Sequence, residues 1–251
     1  MRTYIGTLVI PWFVLFLQTS AASELPPDSP AKRALQFFAG LPMTTIEEAF
    51  QSLRPEPIRT EEKQRALATL TGEGELRPNA GEATKVENLR RVLIYHKRED
   101  VFSVKVIDLP QAAVVLYARS IVLVTRPALR QLSALELQAI VAHEIGHEYF
   151  WDEELQFGDS KARRELELRC DAIAILTLLQ LDLDPSLVVS AAVKLTRFNE
   201  QRGMRIDAEQ YPSGAERGQF TGAIVDLLHS RGLAADRSSR SYTSQKVKSE
   251  T

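Results

Sequence analysis

Two hydrophobic periods divide this chain. Up to about residue 95 the apolar positions recur at helical spacing; between 101 and 125 they alternate or run in β-branched blocks; beyond 133 the helical period returns. Thr44 or Thr45 with Glu47 or Glu48 makes a capping box, which starts a short helix over Ile46–Leu53 that Pro55 and Pro57 break. A second helical piece spans about Glu61–Leu70 and stops at Gly72. Gly74–Gly81 reads as a loop and Glu82–Tyr95 as a third helix. Val101–Ile107 alternates apolar and polar, as a half-buried strand does. Ala112–Tyr117 and Ile121–Thr125 are β-branched runs separated by a short turn, which predicts a hairpin and, with the first strand, a small sheet.

Ser133-Ala-Leu-Glu136 is another capping box and fixes the start of the next helix. From Leu137 to Ile145 that helix is apolar on most sides, so it is expected to lie centrally, between the sheet and other helices. Tyr149, Phe150 and Trp151 close its far end. A polar loop, Asp152–Ser160, leads to a helix over about Ala162–Leu181, charged in its first turns and apolar in its last. Asp184-Pro185 suits an N-cap and a first-turn proline, opening a helix that ends near Gly203. Ser213-Gly-Ala-Glu216 is a third capping box, starting a last helix that Gly232 terminates. There is no internal repeat. The expected architecture is α+β: mostly helical, with a small three-stranded sheet, in one domain over 44–232. Residues 23–43 read as a linker, Ser23–Pro30 being rich in proline, serine and acid, and 233–251 as a polar, disordered tail.

A length of 251 residues suits one well-packed domain, and a net charge of −2 supplies no basic field, which argues against a nucleic-acid partner. The first residues carry address information. Met1-Arg2, the apolar run Ile5–Leu17 and the small residues Ser20-Ala21-Ala22 predict a signal peptide over 1–22, cleaved after Ala22, and export to a periplasm or the exterior; an uncleaved anchor is the alternative. No later run is apolar enough to span a bilayer after cleavage. Cys170, the one cysteine, falls inside a helix, cannot form an intramolecular disulfide and reads as core filler.

The chemistry concentrates in His143-Glu-Ile-Gly-His147. Of the four histidines, two stand four apart on an apolar helix. Imidazoles so spaced share a face, offset by about 40° and about 6 Å along the axis, and can reach one ion. Buried imidazoles with no partner would carry a desolvation cost for nothing. Glu144 lies about 100° around the helix from His143, beside such an ion, where a carboxylate can take a proton from an activated water. A third ligand from the following helix would leave a tetrahedral Zn²⁺ one open position. Glu165 and Glu167 both lie near that helix's start. Glu167 is favoured because Asp171 follows one turn later on the same face, placed to hold a liganding imidazole by its other N–H. Glu165, Arg163 and Arg164 read as a solvated charged turn; Glu153 and Glu154 are too near the first helix in sequence. His96 and His229 each end a helix and read as surface residues.

The set His143-Glu-Ile-Gly-His147, followed by Glu167-Leu-Arg-Cys-Asp171, resembles the HtpX-type and CAAX-prenyl-protease-type zinc metallopeptidases, gluzincins whose third ligand is the Glu of an E-x-x-x-D motif. The resemblance covers about Val101–Leu228. It implies one zinc ion per chain on His143, His147 and Glu167, with Asp171 behind them. It also implies a zincin-like fold whose edge strand, about Gln111–Tyr117, pairs with extended protein or peptide substrate. The chain departs from the family twice. Tyr211-Pro-Ser-Gly-Ala-Glu-Arg217 is similar to a late segment that usually begins His-Pro, so tyrosine stands where histidine is common. A neutral phenol can still donate to the oxyanion of a tetrahedral intermediate, with Arg217 nearby; a helix-entry tyrosine packed on the core is the other reading. Cys170 stands where alanine is common. The expected activity is that of an exported zinc metalloendopeptidase acting on extended or misfolded proteins. The rivals are a zinc-retaining, non-proteolytic binding module and a helical interaction domain with an accidental motif.

Overall fold

Ser29 caps a helix where the sequence pattern predicts linker. In the computed structural model, which describes residues 25–70, 75–154, 160–204 and 207–233, α1 spans Pro30–Gly40. Its first turn is set by Pro30 and by Lys32 N–H donating to Ser29 Oγ at 3.1 Å. Ala31, Ala34 and Phe38, at helical spacing, form its buried face; the polar, proline-rich lead hides that pattern. The expected signal segment over 1–22, the Gly72 stop, the middle of the 152–160 loop and the 237–251 tail lie outside the described residues.

The Thr45 box forms as expected and opens α2 (Ile46–Leu53), with Glu48 reaching back to Thr45 N–H. After α3 (Thr60–Leu70) the third predicted helix is instead two. Asn79 makes a reciprocal box with Glu82 that starts α4 (Ala80–Glu87) early, and the chain breaks at Asn88 before α5 (Arg90–Tyr95). The strands are β1 (Ser103–Ile107), β2 (Val114–Tyr117) and β3 (Ile121–Thr125), in the order β1-β3-β2. β3 runs parallel to β1 and antiparallel to β2. The central strand has Ile121, Val122, Val124 and Thr125 buried, which is why its sequence runs rather than alternates; β2 alternates buried and exposed, as an edge strand with one dry face should. The β2–β3 turn places Ala118 and Arg119 at φ 47° and 56°, a left-handed pair that hairpin twist favours although neither residue is glycine.

Thr125 then caps α6 (Arg126–Gln131), a short helix the pattern does not predict, and Ser133 caps α7 (Ala134–Tyr149) with Glu136 closing the box. α7 is central, as its apolar surface requires: Leu137 through Gly146 are all buried. One turn, α8 (Trp151–Glu154), follows, then α9 (Ser160–Gln180), α10 (Ser186–Glu200) and α11 (Gly214–Ser230). Ser213 accepts from Glu216 N–H at 3.2 Å, but the expected box stays half-made because the Glu216 carboxylate is taken by Arg164. Glu136 also ties α7 to α10, accepting from Ser190 Oγ at 2.5 Å and Lys194 Nζ at 2.8 Å. Among the described residues no helix is long and apolar enough to cross a membrane.

A polar network lies buried at the far end of α7. Arg98 and Glu148 pair there at 2.9 Å. His96, expected at the surface, is fully buried: its Nε2 lies 2.9 Å from Thr177 Oγ1 and its Nδ1 lies 3.0 Å from the Tyr149 hydroxyl. Thr177 already donates to the Ile173 carbonyl, so its oxygen accepts from His96. The ring is therefore the Nε2–H tautomer, and Tyr149 donates to Nδ1. Burial, then the charges of Arg54 and Arg98, push this imidazole down to about 3. Between that value and the unfolded value of about 6.5, the unfolded chain holds a proton the native one refuses, so stability falls as pH falls through this window. From pH 7 to 5 the wild type should lose about 2 kcal/mol more than His96→Gln, read from urea unfolding at the two pH values. Equal losses would show that His96 takes up its proton without unfolding.

Candidate metal centre and its cleft

Gly146 decides how closely the two site helices meet. A Cβ at that position would lie 2.7 Å from Cys170 Cα and 2.9 Å from Cys170 Cβ, so α7 and α9 approach backbone to backbone one residue before His147. That contact brings Glu167, one turn before Cys170, over the histidine face. The His143 and His147 ring centroids are 5.1 Å apart. Glu167 Oε2 lies 3.4 Å from His143 Nε2, and its Oε1 lies 3.8 Å from His147 Nε2. Donor atoms of His143, Glu144 and His147 also fall within 4.8 Å of one another, a group able to hold a metal ion. Both imidazoles are common to the two sets. The two oxygens of Glu167 face both rings, while Glu144 Oε2 accepts the Leu116 N–H at 2.9 Å.

His143 Nδ1 lies 2.8 Å from Asp171 Oδ1, so the ring donates there and turns Nε2 toward Glu167. A neutral ring would then set a lone pair against a carboxylate oxygen, which needs a proton or a cation between them. Burial alone would lower His143, but Asp171 and Glu167 outweigh it and raise the ring to about 9. Glu167 moves the other way: burial raises it, and His143, His147 and Arg217 together hold it far below the ordinary range. Glu144 is raised, chiefly by burial, which the histidines and the Leu116 N–H only partly offset. Burial pushes the Cys170 thiol up to about 11, so it stays protonated, in keeping with core filler.

Arg217, which the sequence places only nearby, is a structural member of the centre. From α11 its Nη1 donates to Asp171 Oδ1 and its Nη2 donates to Glu167 Oε2 at 3.2 Å. One planar fork thus fixes the carboxylate facing the rings and the carboxylate behind His143. Glu144, Glu167, Asp171 and Arg217 are all buried. With neutral imidazoles, three buried carboxylates against one guanidinium leave two negative charges, the charge a divalent cation balances. The donor set and this imbalance are compatible with a metal ion held by the two imidazoles and a neighbouring carboxylate.

A cleft of about 940 Å³ opens from these residues between β2 and α10, floored by Ile140 and walled by Val114, Val193, Asn199 and Tyr211. Tyr211 thus shares the cleft with His143 and Glu167, and Arg163 stacks over its ring at 5.7 Å. The charged turn at the start of α9 is not solvated as expected. Arg164 pairs with Glu216, Glu165 with Arg33 of α1 at 2.6 Å and with Arg169, and Arg169 with Glu153 at 2.8 Å. These pairs dock α1 and α11 onto α9 and remove Glu165 and Glu153 as ligand candidates. His229 is exposed at the end of α11, as expected.

No family model matches this chain, and a search of curated proteins finds no match.

Two substitutions test the geometry. Gly146→Ala inserts a methyl where the Cys170 backbone already sits and should cost about 1–3 kcal/mol of stability, with weakened zinc retention measured on the same sample. A variant of unchanged melting temperature would mean that the helices have room to separate. Arg217→Lys keeps the charge but loses the fork, and should weaken zinc binding roughly 10–100-fold in competition with a chromophoric chelator. Wild-type affinity in that variant would remove Arg217 from the centre.

Proposed function

We propose that this protein is a zinc-dependent metallopeptidase that hydrolyses peptide bonds of extended or misfolded proteins. The observation that carries the reading is the Glu167 carboxylate facing both imidazole Nε2 atoms across a helix–helix contact that only glycine permits. Further support comes from a buried carboxylate of raised basicity beside the histidines and from a cleft that runs along a sheet edge. An edge strand next to the histidine helix is also what the resemblance to HtpX-type gluzincins implies, so the zincin-like fold belongs to the same proposal, as does export directed by residues 1–22.

A bound zinc ion would supply Lewis acidity, making water a better acid and a carbonyl a better electrophile. The chain's own residues do the rest. Asp171 keeps His143 in one tautomer, and Arg217 keeps Asp171 and Glu167 in place. Glu144 is oriented by the Leu116 N–H through one oxygen. The carboxylate takes the proton of the attacking water, and its raised pKa suits it to pass that proton to the leaving amine. Tyr211, on the cleft wall, is the candidate donor to the developing oxyanion. The substrate strand lies along β2, exchanging backbone hydrogen bonds at its free edge. Tyrosine in place of histidine at 211 favours one other reading, a zinc-retaining module that binds unfolded chains without cutting them.

Glu144→Gln separates the two. The variant should keep one zinc per chain and lose roughly 10²–10⁴-fold in the rate of casein cleavage, and removing the metal from wild type with a chelator should abolish cleavage until zinc is restored. Equal cleavage by wild type and variant would sink the hydrolytic proposal; zinc retained with no cleavage by either would favour the binding module.

A further inference from the structure

Arg163, Glu167 and Asp171 stand four residues apart and so share one face of α9. From that face Glu167 meets the imidazoles and Asp171 accepts from His143. Arg163 sits one turn before Glu167, and its guanidinium lies over the Tyr211 ring, 5.7 Å from the centroid. Of the three arginines in the first half of α9, Arg164 pairs with Glu216, and Arg169 with Glu153 and Glu165. Arg163 pairs with no carboxylate among the described residues. Its neighbour one turn on, Glu167, is already held by Arg217. This half-buried cation therefore has an aromatic ring for its partner.

Tyr211 is fixed at its backbone and unclaimed at its tip. Its N–H donates to the Asp207 carbonyl at 3.1 Å. Pro212 follows, which favours an extended conformation in the residue before it, and Ser213 then caps α11. Among the described residues the Tyr211 hydroxyl has no hydrogen-bond partner, while the side chain lines the cleft together with His143, Glu144 and Glu167.

We propose that Arg163 is a positioning residue for Tyr211: it holds the phenol on the cleft wall and strengthens its hydroxyl as a donor to the oxyanion. This inference rests on the peptidase reading above. The negative face of the ring attracts the guanidinium. A cation there draws electron density from the ring and hence from the phenol oxygen, which makes the O–H bond more polar. The gain grows as negative charge develops on the accepting oxygen, so the stack contributes more in the transition state than in the bound substrate. The residue types support the same conclusion. Histidine, common at this place in the metallopeptidases the chain resembles, can carry a positive charge of its own; a neutral phenol cannot. Arg163 supplies that charge from the neighbouring helix, so arginine and tyrosine together do the work of one imidazolium.

The test is steady-state cleavage, by the zinc-loaded chain, of a fluorogenic peptide spanning a casein bond that the wild type cuts. Arg163→Met should lower kcat roughly 2–30-fold, the scale of one cation–π contact, and leave KM within a factor of about two. Its zinc content and melting temperature should stay at wild-type values. Arg163→Lys, still a cation but without the planar stack, should recover part of the loss. Tyr211→Phe keeps the ring and loses the donor, so adding Arg163→Met to it should cost nothing further. The same factor lost in the Tyr211→Phe background would mean that the arginine acts by itself, and overturns the pairing. So does an Arg163→Met enzyme that keeps wild-type kcat, that loses only in KM, or that fails to fold, since the last would make Arg163 a structural residue. These results leave the peptidase reading intact, whereas a wild type that cuts no casein bond removes that reading and this inference together.

Discussion

Backbone contact between α7 and α9 at Gly146 and Cys170 is the constraint on which the rest of the site depends. Helices with ordinary side chains at their crossing keep axes about 8–10 Å apart; here nothing but a hydrogen stands between one backbone and the next. Because the contact falls between the two turns that carry His147 and Glu167, small changes in it act directly on the gap between imidazole and carboxylate. α9 owes its position to more than α7. Arg33 of α1 and Glu216 of α11 grip its charged first turns, so the helix is pressed onto α7 from outside and admitted by glycine from within.

Electrostatics then explains why so many polar groups tolerate burial together. Arg217 bridges Asp171 and Glu167 through a single fork, and His143 extends the chain from Asp171 Oδ1. Burying such a set costs several kcal/mol per ion before its mutual attraction is counted. At the other end of α7 the same helix carries a second buried network, His96 with Tyr149 and Thr177, that is complete without any ion. The contrast is informative: one cluster closes on itself, while the other leaves nitrogen and oxygen donors facing a shared gap.

Local signals in the sequence predicted local structure well. The capping boxes at Thr45 and Ser133 start helices where those residues stand, and the β-branched block Ile121–Thr125 is the strand it resembles. His143, Glu144 and His147 were readable because one helix carries all three. Glu167 lies opposite both imidazoles on the helix face that Asp171 marks. What escaped had its partner far away in sequence. Nothing near His96 indicates that Tyr149 and Thr177 will close around it, and the resemblance of residues 211–217 to a family segment puts Arg217 near the site without naming the carboxylates it meets when α11 lies on α9. α1 escaped for a different reason: its three buried positions follow a proline-rich stretch whose composition argues for linker. The helix break at Asn88 was lost because an unbroken apolar period ran across it, and the box at Asn79 because it falls in a stretch that reads as a loop.

Arg217 also gives the centre an order of completion. The edge strand, both histidines and Glu167 leave the ribosome before α11 does, and α11 supplies the fork that steadies Glu167 and Asp171. Chains fold as they emerge, N-terminal parts first, so a growing chain holds the histidine helix well before the carboxylates are locked. The last helix therefore completes a cluster whose other members all precede it along the chain.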